Sequence, residues 1–410
     1  MESLTVNISK NYWRYKMSMT KDIYYEAIHK YSSPLYIYDL DAAGEEVERF
    51  RKHLGNNISL CFAMKANPFI VGYMAKIVDK IEVCSYGEFL ICKKLSLPPE
   101  KLLISGVLKE TKDLPNILEY CGEKSIYTIE SEEQFYFLGK WSNANKKHLK
   151  VYIRLTSGNQ FGVDEGVFLD LVNKRKEYEY LDIIGIHYFT GTQKRQTKTI
   201  EKELYHIDEF IKKIKAETGH TIEHFEYGPG IGVAYFEGKD VPVHENEGLK
   251  KLQEIVSNLS FKGQVTFEMG RAISAACGVY ITQICDKKTN MDINYCIVNG
   301  GMHQLNYDGQ IKGMYHPFME VLSENHIVSD KKWTVCGSLC TFNDVLTSEI
   351  SLGELEIGDY LVFKNAGAYS VMEGMALFLS HELPAVALYS KEQGLVQARQ
   401  MQTTFQLNTI

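Results

Sequence analysis

The chain has 410 residues, 45% hydrophobic and 24% charged, enough apolar material for about two or three domains of ~150 residues each, which excludes a disordered protein. Lysine and arginine number 45 against 52 acids, a net charge of -7, so the composition carries no electrostatic footprint for nucleic acid. No run approaches the roughly 18 apolar residues that span a bilayer, and the opening MESLTVNISKNYWRYK lacks the apolar core of a signal peptide, so the expected location is the cytoplasm.

Short β-branched runs recur along the chain: SLCFAM (59–64), IEVC (81–84), LLIS (102–105), IYTI (126–129), KVYIRL (150–155), DIIGIH (182–187), EHFEY (223–227) and VTFE (265–268). Helical patterns lie between them. In TIEKELYHIDEFIKKIKAETG, for example, Ile200, Leu204, Ile207, Ile211 and Ile214 fall on one face at three- and four-residue steps. Strands alternating with helices imply parallel pairing through right-handed crossovers, and eight units match the number that closes a (β/α)₈ barrel over 36–272. An open doubly wound sheet is the alternative. After 272 the texture changes to VYITQICD, YCIVNGG, WTVCG, DYLVFKNAGAY and AVALYS, short strands with few helical periods. That predicts a C-terminal all-β barrel or sandwich over 273–410, with 1–35 contributing to it.

The nine cysteines are scattered and predict reduced thiols. Cys336 and Cys340 are spaced as half a zinc site, but no second pair follows, so no metal is expected.

In a parallel barrel the chemistry sits where strands end. FAMKAN puts Lys65 directly after the first run, where burial is expected to lower its pKa and favour a neutral amine. EYGPGIGV offers Gly228, Gly230 and Gly232 as a phosphate-binding turn, and FEMGR presents Glu268, Gly270 and Arg271 within four residues. Alone, each has a plain structural explanation: a solvated lysine, a tight turn, a surface ion pair. Together they are what pyridoxal 5'-phosphate asks of a barrel: a Schiff-base amine, a phosphate anchor and a partner for the pyridine nitrogen.

With these motifs in this order, the chain from Pro34 to Tyr389 resembles the fold-type III pyridoxal-phosphate decarboxylases of the diaminopimelate, ornithine and arginine group. The resemblance implies that Lys65 carries the cofactor, that Glu268 charges the pyridine nitrogen, and that Gly228, Gly230, Gly270, Arg271 and Tyr369 of NAGAY hold the phosphate. Thr192 would assist in the place usually given to serine. Arg154, Ser85 and Glu88 match positions lining the family pocket. GSLCTFND is similar to the segment that enters the partner subunit's active site, which implies a homodimer with shared sites. There Cys340 would return a proton after carbon dioxide leaves, and Asp344 would support the loop.

Departures from the family pattern bear on substrate. GIHYFTGTQ keeps His187 but has Phe189 where a ring-stacking histidine is usual, and aromatic stacking survives that change. His187 reads equally as a satisfied interior histidine or a direct participant. Thr341 stands where the family places an acid for a distal ammonium. GGMHQLNYDGQIKGMYHPF, whose His303 and Tyr315 would line the substrate end, has no arginine for a second carboxylate. Lys312 could serve there only as a point charge. The combination is most similar to the subgroup that decarboxylates an amino acid already attached through its side chain, such as butirosin-type glutamyl carrier-protein decarboxylases and microcin C type aminocarboxypropyl decarboxylases of antibiotic biosynthesis. Alternatives are a decarboxylase of free diaminopimelate or ornithine, an amino-acid racemase, and an inactive binding homologue. Glu268 argues against racemisation, because the alanine racemases of this fold place an arginine at the pyridine nitrogen. Retention of Lys65, Glu268 and Cys340 argues against inactivity.

Overall fold

The structure, a computed structural model, describes residues 18–308 and 313–410; Lys312 and residues 1–17 lie outside them. The first strand is β1 (Leu35–Asp39). Eight more follow: β2 (Ile58–Ala63), β3 (Lys80–Val83), β4 (Leu102–Ile104), β5 (Ile126–Ile129), β6 (Leu149–Leu155), β7 (Leu181–Phe189), β8 (His224–Gly228) and β9 (Gln264–Met269). Strands β2 to β9 form a closed barrel in sequence order, parallel at every seam, with β9 returning to β2. The eight predicted runs are these eight strands. They read as near-continuous apolar segments because a parallel strand under a helical shell is buried on both faces. The helix Thr197–Thr218 buries the five predicted isoleucine and leucine positions and stops at Gly219, whose φ of 67° gives a left-handed cap.

Residues two apart on a strand share a face, which sorts the barrel interior into tiers. In one tier the Lys80 ammonium donates to Tyr152 Oη (2.9 Å), Glu226 Oε2 (2.9 Å) and Thr266 Oγ1 (3.3 Å), using all three of its donors. The next tier, two residues nearer the carboxyl ends, holds Glu82, Arg154 and Glu268. The polar site is therefore built on rigid strands.

The second unit is a nine-stranded mixed sheet, the β architecture expected after 272. Its later strands are β10 (Gly278–Asn290), β11 (Ile293–Val298), β12 (Met319–Leu322), β13 (Lys332–Cys336), β14 (Val345–Ser351), β15 (Tyr360–Phe363), β16 (Ala385–Ser390) and β17 (Gly394–Arg399). The order is β14-β13-β11-β10-β1-β16-β17, with β15 pairing with both β10 and β12. Strand β1, buried along its whole length, runs antiparallel to β10 and parallel to β16. The sheet unit comprises the described residues up to Glu45, in 276–366 and in 374–410; the barrel unit is Glu46–Ala275 with Gly367–Glu373. This partition differs from the expected spans at 36–45, which hold most of β1 and belong to the sheet unit, and at 273–275 and 367–373, which belong to the barrel unit.

Candidate active site

The chain leaves β2 in a single 3₁₀ turn, Met64–Ala66, which carries Lys65 at the carboxyl end of the barrel. Lys65 Nζ lies 2.6 Å from Glu82 Oε2 on β3 and 3.8 Å from Glu268 Oε1 on β9. The Cys84 thiol is 3.5 Å from the same nitrogen and donates to Glu82 Oε1 at 3.0 Å. Desolvation pulls the lysine pKa down, but the carboxylates Glu82 and Glu268, with the Cys84 sulfur beside them, outweigh it, and the net shift is well upward. The expectation of a lowered pKa is thereby corrected. Without these acids a neutral amine would follow from burial; with them, Lys65 is an ammonium that needs a proton acceptor, and Glu82 is in place to be one. Glu82, only 2% exposed, was missed in the sequence. Its one signal is a charge inside the apolar run IEVC.

Glu268 also faces His187, at the end of β7. Nε2 is 3.2 Å from Glu268 Oε2, yet neither histidine nitrogen nor Glu268 Oε2 has hydrogen-bond geometry with a partner. Desolvation first, and then Arg154, push the His187 pKa down to about 3, so the imidazole is neutral. Arg154 pairs in register with His187 and donates from Nη1 to Glu130 Oε1 at 3.1 Å. Arg154 Nε and Glu130 Oε2 are likewise buried without partners. Buried polar atoms are rarely left unsatisfied, so a cluster of orphans at a barrel mouth marks a place for a polar ligand. Ser85 and Glu88 have a local role: Ser85 Oγ caps the helix Tyr86–Lys94 by accepting from Glu88 N, and Glu88 Oε2 accepts from Cys84 N at 2.6 Å.

On the other side of Lys65 two loops meet. Lys194 N donates to Gly230 O, and Gly232 N to Lys194 O, both at 2.9 Å. Gly230 has φ 60°, and a Cβ there would lie 2.0 Å from Gly191 O. Gly228 is needed for another reason: a Cβ would strike the Phe189 ring at 2.5 Å. Arg271 donates from Nη1 to Tyr235 Oη (2.8 Å) and from Nε to Thr192 Oγ1 (3.4 Å), and its guanidinium lies 4.5 Å from the Tyr369 ring centroid. Tyr369 N donates to Ala66 O at 2.7 Å, which ties 367–373 to the Lys65 turn. Lys65, Phe189, Thr192, Gly230, Glu268 and Gly270, with Arg271 and Tyr369, line one cavity of about 230 Å³. It joins an amine, an aromatic face, a carboxylate and a cation beside close-set backbone. A phosphorylated pyridine aldehyde fits this set: the cradle suits its phosphate, and the partnerless Glu268 oxygen suits its ring nitrogen.

The other predicted residues, His303, Tyr315, Cys340 and Thr341, lie in the sheet unit. Cys340 is exposed. The loop carrying it wraps the buried Asp344 carboxylate, which accepts from Met302 N (2.7 Å) and Leu339 N (2.8 Å). Gly301 and Gly337 are close-packed on that carboxylate, where a Cβ would come within 2.6 and 2.2 Å of it. His303 is buried, lies 4.9 Å from the His381 ring, and is held to about pH 4 by desolvation and by His381. Tyr315 is half-buried and its carbonyl accepts from Thr347 Oγ1.

A family model described as "Pyridoxal-dependent decarboxylase, C-terminal sheet domain" matches residues 35–367. Among similar proteins are the diaminopimelate decarboxylase of Aquifex aeolicus, 26% identical over 363 residues and 84% of each chain, and the L-glutamyl-[BtrI acyl-carrier protein] decarboxylase of Niallia circulans, 26% identical over 389 residues, 87% of this chain and 88% of that one. The 2-[(L-alanin-3-ylcarbamoyl)methyl]-2-hydroxybutanedioate decarboxylase of Staphylococcus aureus is 27% identical over 380 residues, 85% of this chain and 92% of that one. The solved diaminopimelate decarboxylase of M. jannaschi superposes with a TM-score of 0.82 at 21% identity, covering 93% of this chain and 92% of that one, a likeness of fold.

Proposed function

The chain belongs to the pyridoxal-dependent decarboxylases, and from that premise we propose that it removes the α-carboxylate of an amino acid attached through its side chain to a larger molecule. The observation that carries this reading is the uncharged Thr341 at the position expected to hold an acid, together with a 300–318 segment that has no arginine. A capped side chain needs neither ionic anchor. Two of the relatives above have names that specify a carrier-bound glutamyl group and an alanine joined through a carbamoyl group. The equally similar diaminopimelate decarboxylase keeps a free diamino acid as the second reading.

Pyridoxal 5'-phosphate, when bound, supplies a sink for the electrons left at Cα as carbon dioxide departs. The rest falls to the chain. Lys65 Nζ holds the cofactor and gives up its proton to Glu82 Oε2. Glu268 keeps a proton on the ring nitrogen, with the neutral His187 excluding water beside it. Phe189 offers a face for stacking, Arg154 is oriented by Glu130, and Thr192, Gly230, Gly270, Arg271 and Tyr369 bind the phosphate. Cys340, on its exposed loop, returns a proton to Cα within a homodimer.

Purified protein should be yellow, and borohydride should bleach it and leave the reduced cofactor on Lys65; Lys65→Ala should abolish carbon dioxide release. Turnover of side-chain amides of glutamate or diaminopropionate should exceed that of free diaminopimelate, ornithine and lysine. Faster release from the free diamino acids would overturn the tethered-substrate reading while leaving the decarboxylase intact.

A further inference from the structure

The loop that follows β7, 190–194, is fastened from behind. Three donors converge on one carboxylate of the helix Thr197–Thr218: Thr190 Oγ1 reaches Glu203 Oε1 at 2.7 Å, while Lys194 Nζ and Tyr227 Oη each reach Oε2 at 2.6 Å. Thr190 and Lys194 bracket the loop, and Tyr227 belongs to β8, which leads into Gly228 and Gly230. Glu203 therefore ties both glycine-bearing loops to one helix. The pairing is largely dry, with side chains 9% and 13% exposed for Lys194 and Glu203. In front of it the two loops zip together through Lys194 and Gly230, Gln193 Oε1 accepts from Val233 N at 2.7 Å, and Thr192 Oγ1 accepts from Arg271 Nε.

We propose that Glu203 is a positioning residue for the phosphate end of the cofactor site, setting the spacing of the two loops that form the cradle. The inference rests on the reading that this cradle takes the phosphate. Removing the carboxylate charge leaves Lys194 a buried cation without its counter-ion, and relief comes by moving the amine, and the loop with it, toward water. Thr192 then leaves Arg271 and the Gly191–Gly230 contact opens. The ring end of the site, lined by Phe189, Glu268 and Lys65, is left in place.

The test titrates cofactor-free protein with pyridoxal 5'-phosphate and, separately, with pyridoxal. Wild type should prefer the phosphorylated form strongly. Glu203→Gln should shrink that preference at least about tenfold, the scale of one lost charge-assisted hydrogen bond, with pyridoxal affinity within about twofold of wild type. Thr190→Val should shift it the same way by less, and serves if the glutamine variant does not fold. No preference in wild type would sink the phosphate reading itself. A strong wild-type preference kept by both variants, with only the melting temperature of cofactor-free protein lowered, would make Glu203 a structural residue and overturn the proposal.

Discussion

Two carboxylates flank the Lys65 ammonium, and their distances assign them different work. Glu82, at 2.6 Å, is the hydrogen-bonded counter-ion that sets the proton on Nζ; Glu268, at 3.8 Å, keeps one oxygen without a partner and is free to serve a ring nitrogen. Removing an anion beside an ammonium lowers its pKa. In cofactor-free Glu82→Gln protein, the pH midpoint for capture of pyridoxal 5'-phosphate by Lys65, followed by absorbance, should move downward. In Glu268→Gln it should move much less, while kcat falls by about 10²–10³, as when one preorganised electrostatic partner is removed. An unmoved midpoint in Glu82→Gln would take Glu82 out of the proton path.

At the level of elements, two glycines with nearly the same φ separate fold from site. Gly219 caps the helix Thr197–Thr218 at φ 67° with open space where a Cβ would go, whereas Gly230, at φ 60°, faces Gly191 O at 2.0 Å. Gly219→Ala should cost only the left-handed penalty, about 1–2 kcal/mol, and leave cofactor affinity alone. Gly230→Ala adds a backbone clash and should abolish high-affinity cofactor binding; melts and titrations of the two cofactor-free variants check this. The same contrast explains what the sequence reveals. Barrel strands are legible because burial on both faces makes them apolar runs, and their ends point to Lys65, Glu268 and Arg271. Glu82 is not legible as a partner, since it meets Lys65 only when β2 and β3 pair, 17 residues apart. Glu203 escapes for a related reason: three residues after Ile200 and four before Ile207, it stands at the edge of its helix's apolar stripe, where a carboxylate is expected to reach for water, and its three donors come from elsewhere. The direction of the Lys65 shift was misread because desolvation can be inferred from a strand end and opposing charges cannot.

At the scale of the molecule, among the described residues each unit buries one histidine neither of whose ring nitrogens has a hydrogen-bond partner, His187 in the barrel and His303 in the sheet. Both are held far below the ordinary histidine value of 6.5, to about 3 and about 4, with desolvation the main cause. The folded state therefore lacks protons that the unfolded chain takes up below pH 6.5. Stability falls as pH drops through that window, by about 1.4 kcal/mol per pH unit for each histidine. Buried acids raised by desolvation, such as Asp344 and Glu226, act in the opposite sense, because the folded state then binds the extra proton. A comparison of variants removes that opposition. Urea unfolding at pH 7 and pH 5 should show wild type losing about 2 kcal/mol more than His303→Asn between the two conditions. Equal losses would mean that His303 takes up its proton in the folded sheet.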